Sequence, residues 1–214
     1  MRLIAAGCSF VWGNELSDVG EHAAQPSQQT FPALLAQQHG LEYVCVAVPG
    51  GGNDTAVRRV VETVTGKDEV VLINWTFADR HEFYFEHEGW QNIIPTKNTF
   101  CKEFFTGVQS EYSVYHTVKN MVFLSNYLNK KGVPYVYTFA DMKLQYNTTA
   151  AEILAAEIDA TRCFRWSQDA NFLGWAIQQG HAIGPGSHPL DTAHAASAEL
   201  ICPLFSQILN DLHM

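Results

Sequence analysis

Basic residues are scarce in this sequence. Across 214 residues, 13 Lys and Arg stand against 22 Asp and Glu, a formal net charge of −9. Binding to nucleic-acid phosphates needs a surplus of cations, and the adjacent basic pairs, Arg58-Arg59 and Lys130-Lys131, stand isolated. No nucleic-acid partner is therefore expected. Long apolar runs are also missing: none approaches the roughly 20 residues that cross a bilayer, so no membrane partner is expected. Arg2 is followed by a run of only four apolar residues, Leu3 to Ala6, too short for a secretory leader. The five cysteines (Cys8, Cys45, Cys101, Cys163, Cys202) are odd in number and widely spaced, with no C-x-x-C. That pattern is neither a disulfide framework nor a zinc ribbon. The expectation is a cytoplasmic protein with no cofactor and no metal; the oligomeric state is left open.

What is present describes a globular chain. Hydrophobic residues make up 47% and charged residues 16%, and no linker or repeat divides the sequence, which predicts a single domain over 1–214. Leu3 to Ala6 reads as a buried strand, as do Tyr43 to Val48, Val70 to Trp75 and Val133 to Phe139. Between them the spacing predicts helices over 30–40, 55–65 and 114–132, with Thr30 and Asp54 as caps. Further helices are expected over 150–160 and 172–179, and the last starts near Asp191. Residues 14–29 read as a loop, and about 76–110 as an irregular, aromatic-rich excursion. Alternating strands and helices predict a three-layer α/β/α sandwich around a mainly parallel, flavodoxin-like sheet.

Chemistry in such sheets gathers at the carboxyl ends of the strands. Three strands end in unusual turns: Gly7-Cys8-Ser9, Gly50-Gly51-Gly52-Asn53 and Asn74-Trp75-Thr76. Taken alone, Ser9 reads equally well as a helix N-cap or as a nucleophile. A parallel sheet brings these turns to one edge, where His188, in the run Gly184 to Pro189 before the last helix, can join them. A serine, a histidine and convergent amide donors are the parts that acyl transfer requires.

These residues resemble the SGNH (GDSL-like) hydrolases. Gly7-Cys8-Ser9 resembles that family's G-D-S block, Gly50 its second-block glycine, and His188-Pro189 its late histidine before the final helix. More narrowly, G-C-S-F, P-G-G-x-N, a W-T turn and a late H-P are similar to a subgroup of small, largely uncharacterised members. The resemblance implies a serine esterase acting on a small ester, or on another acylated substrate, through an acyl-serine. It makes Ser9 the nucleophile and His188 the base, and builds the oxyanion hole from Ser9 N–H, Gly50 N–H and the Asn74 side chain. Asn53 and Thr76 stand in reserve for the Asn74 position. The acid departs from the family pattern: Pro185 occupies the place of the aspartate three residues before the histidine, and Cys8 replaces the aspartate of the first block. Asp191 and His194 spell D-x-x-H inside the last helix and are the reserve pair. Two alternatives accompany this expectation. One is an acyltransferase; the other is a non-catalytic binding protein that kept the fold and lost its triad.

Two other patterns carry less. His81-Glu82 with Glu86-His87-Glu88 fails the H-E-x-x-H spacing, because Phe85 stands where the second histidine belongs, and reads as a solvated loop. Trp75, Phe77, Phe83, Tyr84, Phe85 and Trp90 read either as the wall of an apolar or sugar pocket or as ordinary core. Arg80 and Glu82 are candidates for substrate contact or for a surface ion pair.

Overall fold

The computed structural model describes all residues except 21–23, 67, 95–98, 108–109, 141–148, 168–170 and 211–214. In chain order the elements are β1 (Arg2–Ala6), α1 (Ser9–Trp12), α2 (Phe31–Gln38), β2 (Glu42–Cys45), α3 (Asn53–Thr63) and β3 (Glu69–Trp75). There follow β4 (His81–Phe85), β5 (Gly89–Ile93), α4 (Thr99–Gly107), α5 (Ser110–Lys131) and β6 (Tyr135–Phe139). The chain ends with α6 (Thr149–Ala155), a 3-10 turn (Ala160–Arg162), α7 (Phe172–Gln178) and α8 (Asp191–Asn210).

The central sheet has strand order β2-β1-β3-β6 and every pair in it is parallel. β3 is buried along its whole length, as a strand covered on both faces must be. Alternation along the strands sends Leu3, Val70, Leu72 and Val136 to one face, where α2, α7 and α8 contribute Phe31, Leu35, Phe172, Ile201 and Phe205. Ile4, Val71, Ile73, Trp75 and Tyr137 face the other way, against Val57 and Val60 of α3 and Met121, Leu124 and Leu128 of α5. This is the three-layer α/β/α architecture that the alternation predicts.

Several boundaries differ from the sequence reading. β2 stops at Cys45, short of Val48, although the Val46 and Val48 N–H groups still donate to the Ala5 and Gly7 carbonyls. Helix α3 begins at Asn53 with Gly52 as its N-cap, so Asp54 lies in the first turn and is not the cap. Thr30 does cap α2, its Oγ1 accepting the Ala33 N–H. The excursion over 76–110 is not irregular throughout. His81–Phe85 and Gly89–Ile93 form an antiparallel hairpin, and Thr99–Gly107 is helical; positions 95–98 and 108–109 of it lie outside the described residues. The predicted loop at 14–29 is built of turns, with 21–23 outside the described residues. Among the described residues, no helix is long and apolar enough to cross a membrane.

Candidate active site

Gly7 ends β1 with φ 153, a backbone conformation that favours glycine. A Cβ there would lie 2.9 Å from the Asn74 carbonyl oxygen and 2.9 Å from Val11 Cγ2, so the position is closed to a side chain. The chain then enters the single turn of α1, with Cys8 buried in the core and Ser9 as the first helical residue. First-turn amides have no intrahelical acceptor, and the Ser9 N–H meets none among the described residues. Gly13, at φ 89, stops the helix, and Glu15 follows in a left-handed conformation with φ 68.

That reversal carries the Glu15 carboxylate to the run 184–188, on the far side of the sequence. Its two oxygens each lie 3.0 Å from the Gly186 amide, which donates to them, and Oε2 is 2.5 Å from His188 Nδ1. The other ring nitrogen, Nε2, is 2.9 Å from Ser9 Oγ. Ser9, His188 and Glu15 thus form one hydrogen-bonded line. Phe10 meets the His188 ring edge-on with centroids 5.6 Å apart and holds its tilt. The glycines of 184–188 are explained by the same carboxylate: a Cβ on Gly184 would lie 2.6 Å from Glu15 Oε2, and one on Gly186 2.9 Å from it. Burial alone would raise the Glu15 carboxyl, but the Gly186 amide and His188 outweigh it and hold the acid below its ordinary range.

Asn74, near the end of β3, is fully buried. Its Oδ1 accepts a hydrogen bond from Thr138 Oγ1 at 3.1 Å, while Nδ2 has no acceptor among the described residues. A buried amide donor without a partner is costly, and such groups collect where a ligand completes them. Gly50 stands in the turn after β2 with φ 73 and open space around it, and its N–H meets no acceptor among the described residues.

The reserve residues are engaged elsewhere. Asn53 Oδ1 accepts the Thr76 N–H at 2.9 Å, and Asn53 Nδ2 donates to the Thr76 carbonyl and to Thr117 Oγ1. Asn53 therefore splices the start of α3 to the end of β3, and neither it nor the amide of Thr76 is free to meet a ligand. His194 is in the core, stacked on Phe31, with Nδ1 accepting the Phe31 N–H at 3.1 Å. Burial drives its pKa down to about 3 against the opposing pull of Asp191. Asp191 accepts from Ser17 Oγ and N–H, and those bonds hold its carboxyl down although burial pushes it up. Trp75 is core against Tyr137, so the aromatic wall excludes it. Glu82 is bound by Arg58 and Thr55, and Arg80 stacks on Phe77. Glu86, His87 and Glu88 are an exposed turn.

Glu15 is the residue that the sequence reading missed. It lies six positions after Ser9 in a stretch without periodicity, and only the αL turns at Gly13 and Glu15 reveal where its carboxylate goes.

No family model and no curated protein sequence matches this chain. Similarity appears among solved structures. The carbohydrate esterase family 2 enzyme with a carbohydrate-binding domain from Corynascus thermopiles (Myceliophthora fergusii) is 15% identical with TM-score 0.57, over 98% of this chain and 67% of that one. A GDSL-like lipase from Bacteroides thetaiotaomicron is 15% identical with TM-score 0.51, over 96% of this chain and 88% of that one. An acetyl xylan esterase from Butyrivibrio proteoclasticus is 12% identical with TM-score 0.51, over 98% of this chain and 64% of that one. The chain spans about two thirds of the length of these carbohydrate esterases. Its fold is that of the SGNH/GDSL-like hydrolases.

Proposed function

We propose that this protein is a serine-dependent esterase that cleaves a small ester through an acyl-serine. The observation that carries this reading is the unbroken line from Ser9 Oγ through both ring nitrogens of His188 to Glu15. Ser9 Oγ attacks the ester carbonyl carbon while its proton passes to His188 Nε2. Glu15 accepts from His188 Nδ1–H, which fixes the tautomer and stabilises the imidazolium. The carbonyl oxygen becomes an oxyanion facing Ser9 N–H, Gly50 N–H and Asn74 Nδ2, three donors with no competing acceptor among the described residues. His188 then returns the proton to the departing alkoxide oxygen. Water, deprotonated by the same ring, attacks the acyl carbon and frees Ser9.

A non-catalytic reading rests on a missing acid, and the contact between Glu15 and His188 supports the catalytic one instead. Transfer of the acyl group to a second hydroxyl uses the same residues and differs only in what reaches the acyl-serine. The fold's likeness to esterases and a GDSL-like lipase supports the ester as the substrate class. The test is hydrolysis of p-nitrophenyl acetate by the wild type, Ser9→Ala and His188→Ala. Wild-type turnover lost in both variants is expected; turnover that survives Ser9→Ala overturns the assignment.

A further inference from the structure

A second cluster of chemically capable side chains lies apart from Ser9, on the face of the sheet covered by α3 and α5. Asp54 from α3, His81 from β4 and His116 from α5 line a groove of about 550 Å³ walled by Arg58, Glu82 and Trp90. One ligand atom from each of the three lies within 4.8 Å of the others. We propose that Asp54, His81 and His116 bind a divalent transition metal of the zinc class, with its remaining coordination position open to the groove.

The donor set is the first argument. Two imidazoles and one carboxylate suit zinc and its neighbours in the first transition row, and three protein ligands with an open position are the pattern of accessible sites. Geometry is the second. A tetrahedral ion with bonds of about 2.0–2.2 Å holds its ligand atoms roughly 3.3–3.6 Å apart. Asp54 Oδ1 and His116 Nδ1 are already 3.5 Å apart, so small side-chain rotations close the set.

The surroundings are the third. Asn120 Nδ2 donates to Asp54 Oδ1 at 2.8 Å, and the Glu82 N–H to Oδ2 at 3.3 Å, which orients the carboxylate. Ser113 Oγ lies 3.2 Å from His81 Nε2, and Tyr112 stacks on His116. Such outer partners are what position ligating side chains. Arg58, the nearest guanidinium in the groove, is committed to Glu62 and Glu82, and among the described residues no Lys or Arg pairs with Asp54. Spacing along the sequence hides this set, because each ligand comes from a different element.

The test uses the full chain, stripped with a chelator and titrated with Zn²⁺ alone by calorimetry, and with Co²⁺ for its visible absorption. One ion per chain is expected, with a metal-dependent rise in Tm. His116→Ala and Asp54→Asn should each abolish that stoichiometric binding while keeping the wild-type circular dichroism. Asn120→Ala should weaken it roughly 10–100-fold, as the loss of an orienting partner does. His188→Ala should leave it intact, which separates this site from the proposed esterase residues. Three results overturn the proposal: no stoichiometric binding, binding unchanged in His116→Ala, or binding lost only in His188→Ala.

Discussion

The Glu15 carboxylate meets His188 Nδ1 at 2.5 Å across 173 positions of sequence, and Gly186 donates to the same carboxylate. If Glu15 is the acid of the proposed line, it comes from the turn after Ser9 rather than from beside the histidine, and this has consequences for kinetics. Replacing it by Glu15→Gln keeps the shape but removes the charge and favours the wrong tautomer. Loss of a comparable acid costs up to about 10⁴ in kcat, so kcat for p-nitrophenyl acetate should fall by roughly 10²–10⁴. KM should change little. A Glu15→Gln variant with wild-type kcat removes Glu15 from the line.

Gly184 tests the same contact from the opposite loop. A Cβ there would lie 2.6 Å from Glu15 Oε2, so Gly184→Ala must push the carboxylate off His188. A misplacement of about 1 Å in a catalytic constellation costs about 10²-fold. Steady-state kinetics checks this: kcat should fall about 10²-fold, and wild-type kcat in Gly184→Ala contradicts it.

The two asparagines should separate cleanly. Asn74→Ala removes the proposed oxyanion donor, and kcat should drop about 10²–10³-fold, about 2.7–4 kcal/mol of barrier. Stability should hold, because Thr138 Oγ1 keeps its bond to the Ile73 carbonyl. Asn53→Ala instead breaks the bonds to Thr76 and Thr117 and should cost about 1–3 kcal/mol in urea denaturation. If Asn53→Ala loses activity at full stability and Asn74→Ala is active, the donor is misassigned.

Stability should also carry a signature of His194. The folded state keeps this ring neutral, with a pKa of about 3 against the ordinary 6.5. The unfolded chain therefore binds the extra proton first, so stability present above pH 6.5 drains away as pH falls from 6.5 toward about 3. Glu15 and Asp191, both lowered, lose their contributions in the same direction at the acid end. His194→Gln, which can still accept the Phe31 N–H but does not titrate, should flatten the slope of unfolding free energy between pH 6.5 and 4. An unchanged slope assigns it to other groups.

How far the sequence alone reached follows from the range of each signal. Strand runs such as Val70 to Trp75 and the periodicity of α5 are local, and the α/β/α class was legible from them. Ser9, Gly50, Asn74 and His188 stand out as candidates in the sequence because each lies at or near a strand end or a helix start, and a parallel sheet brings such turns to one edge. Glu15 was not, since its role depends on two positive-φ residues in a stretch with no period. The Asp54, His81 and His116 cluster was hidden for a related reason: its members belong to a helix, a hairpin and another helix, and the hairpin itself was read as irregular. Asn53 and His194 matched useful residue types, yet burial and backbone partners, invisible in sequence, give them structural work.

Reaction of the protein with a fluorophosphonate probe, followed by peptide mapping, tests the central claim most directly. One adduct per chain is predicted on Ser9, absent in Ser9→Ala and formed much more slowly in His188→Ala and Glu15→Gln. No adduct on the wild type, or an adduct on another serine that persists in Ser9→Ala, would contradict the account.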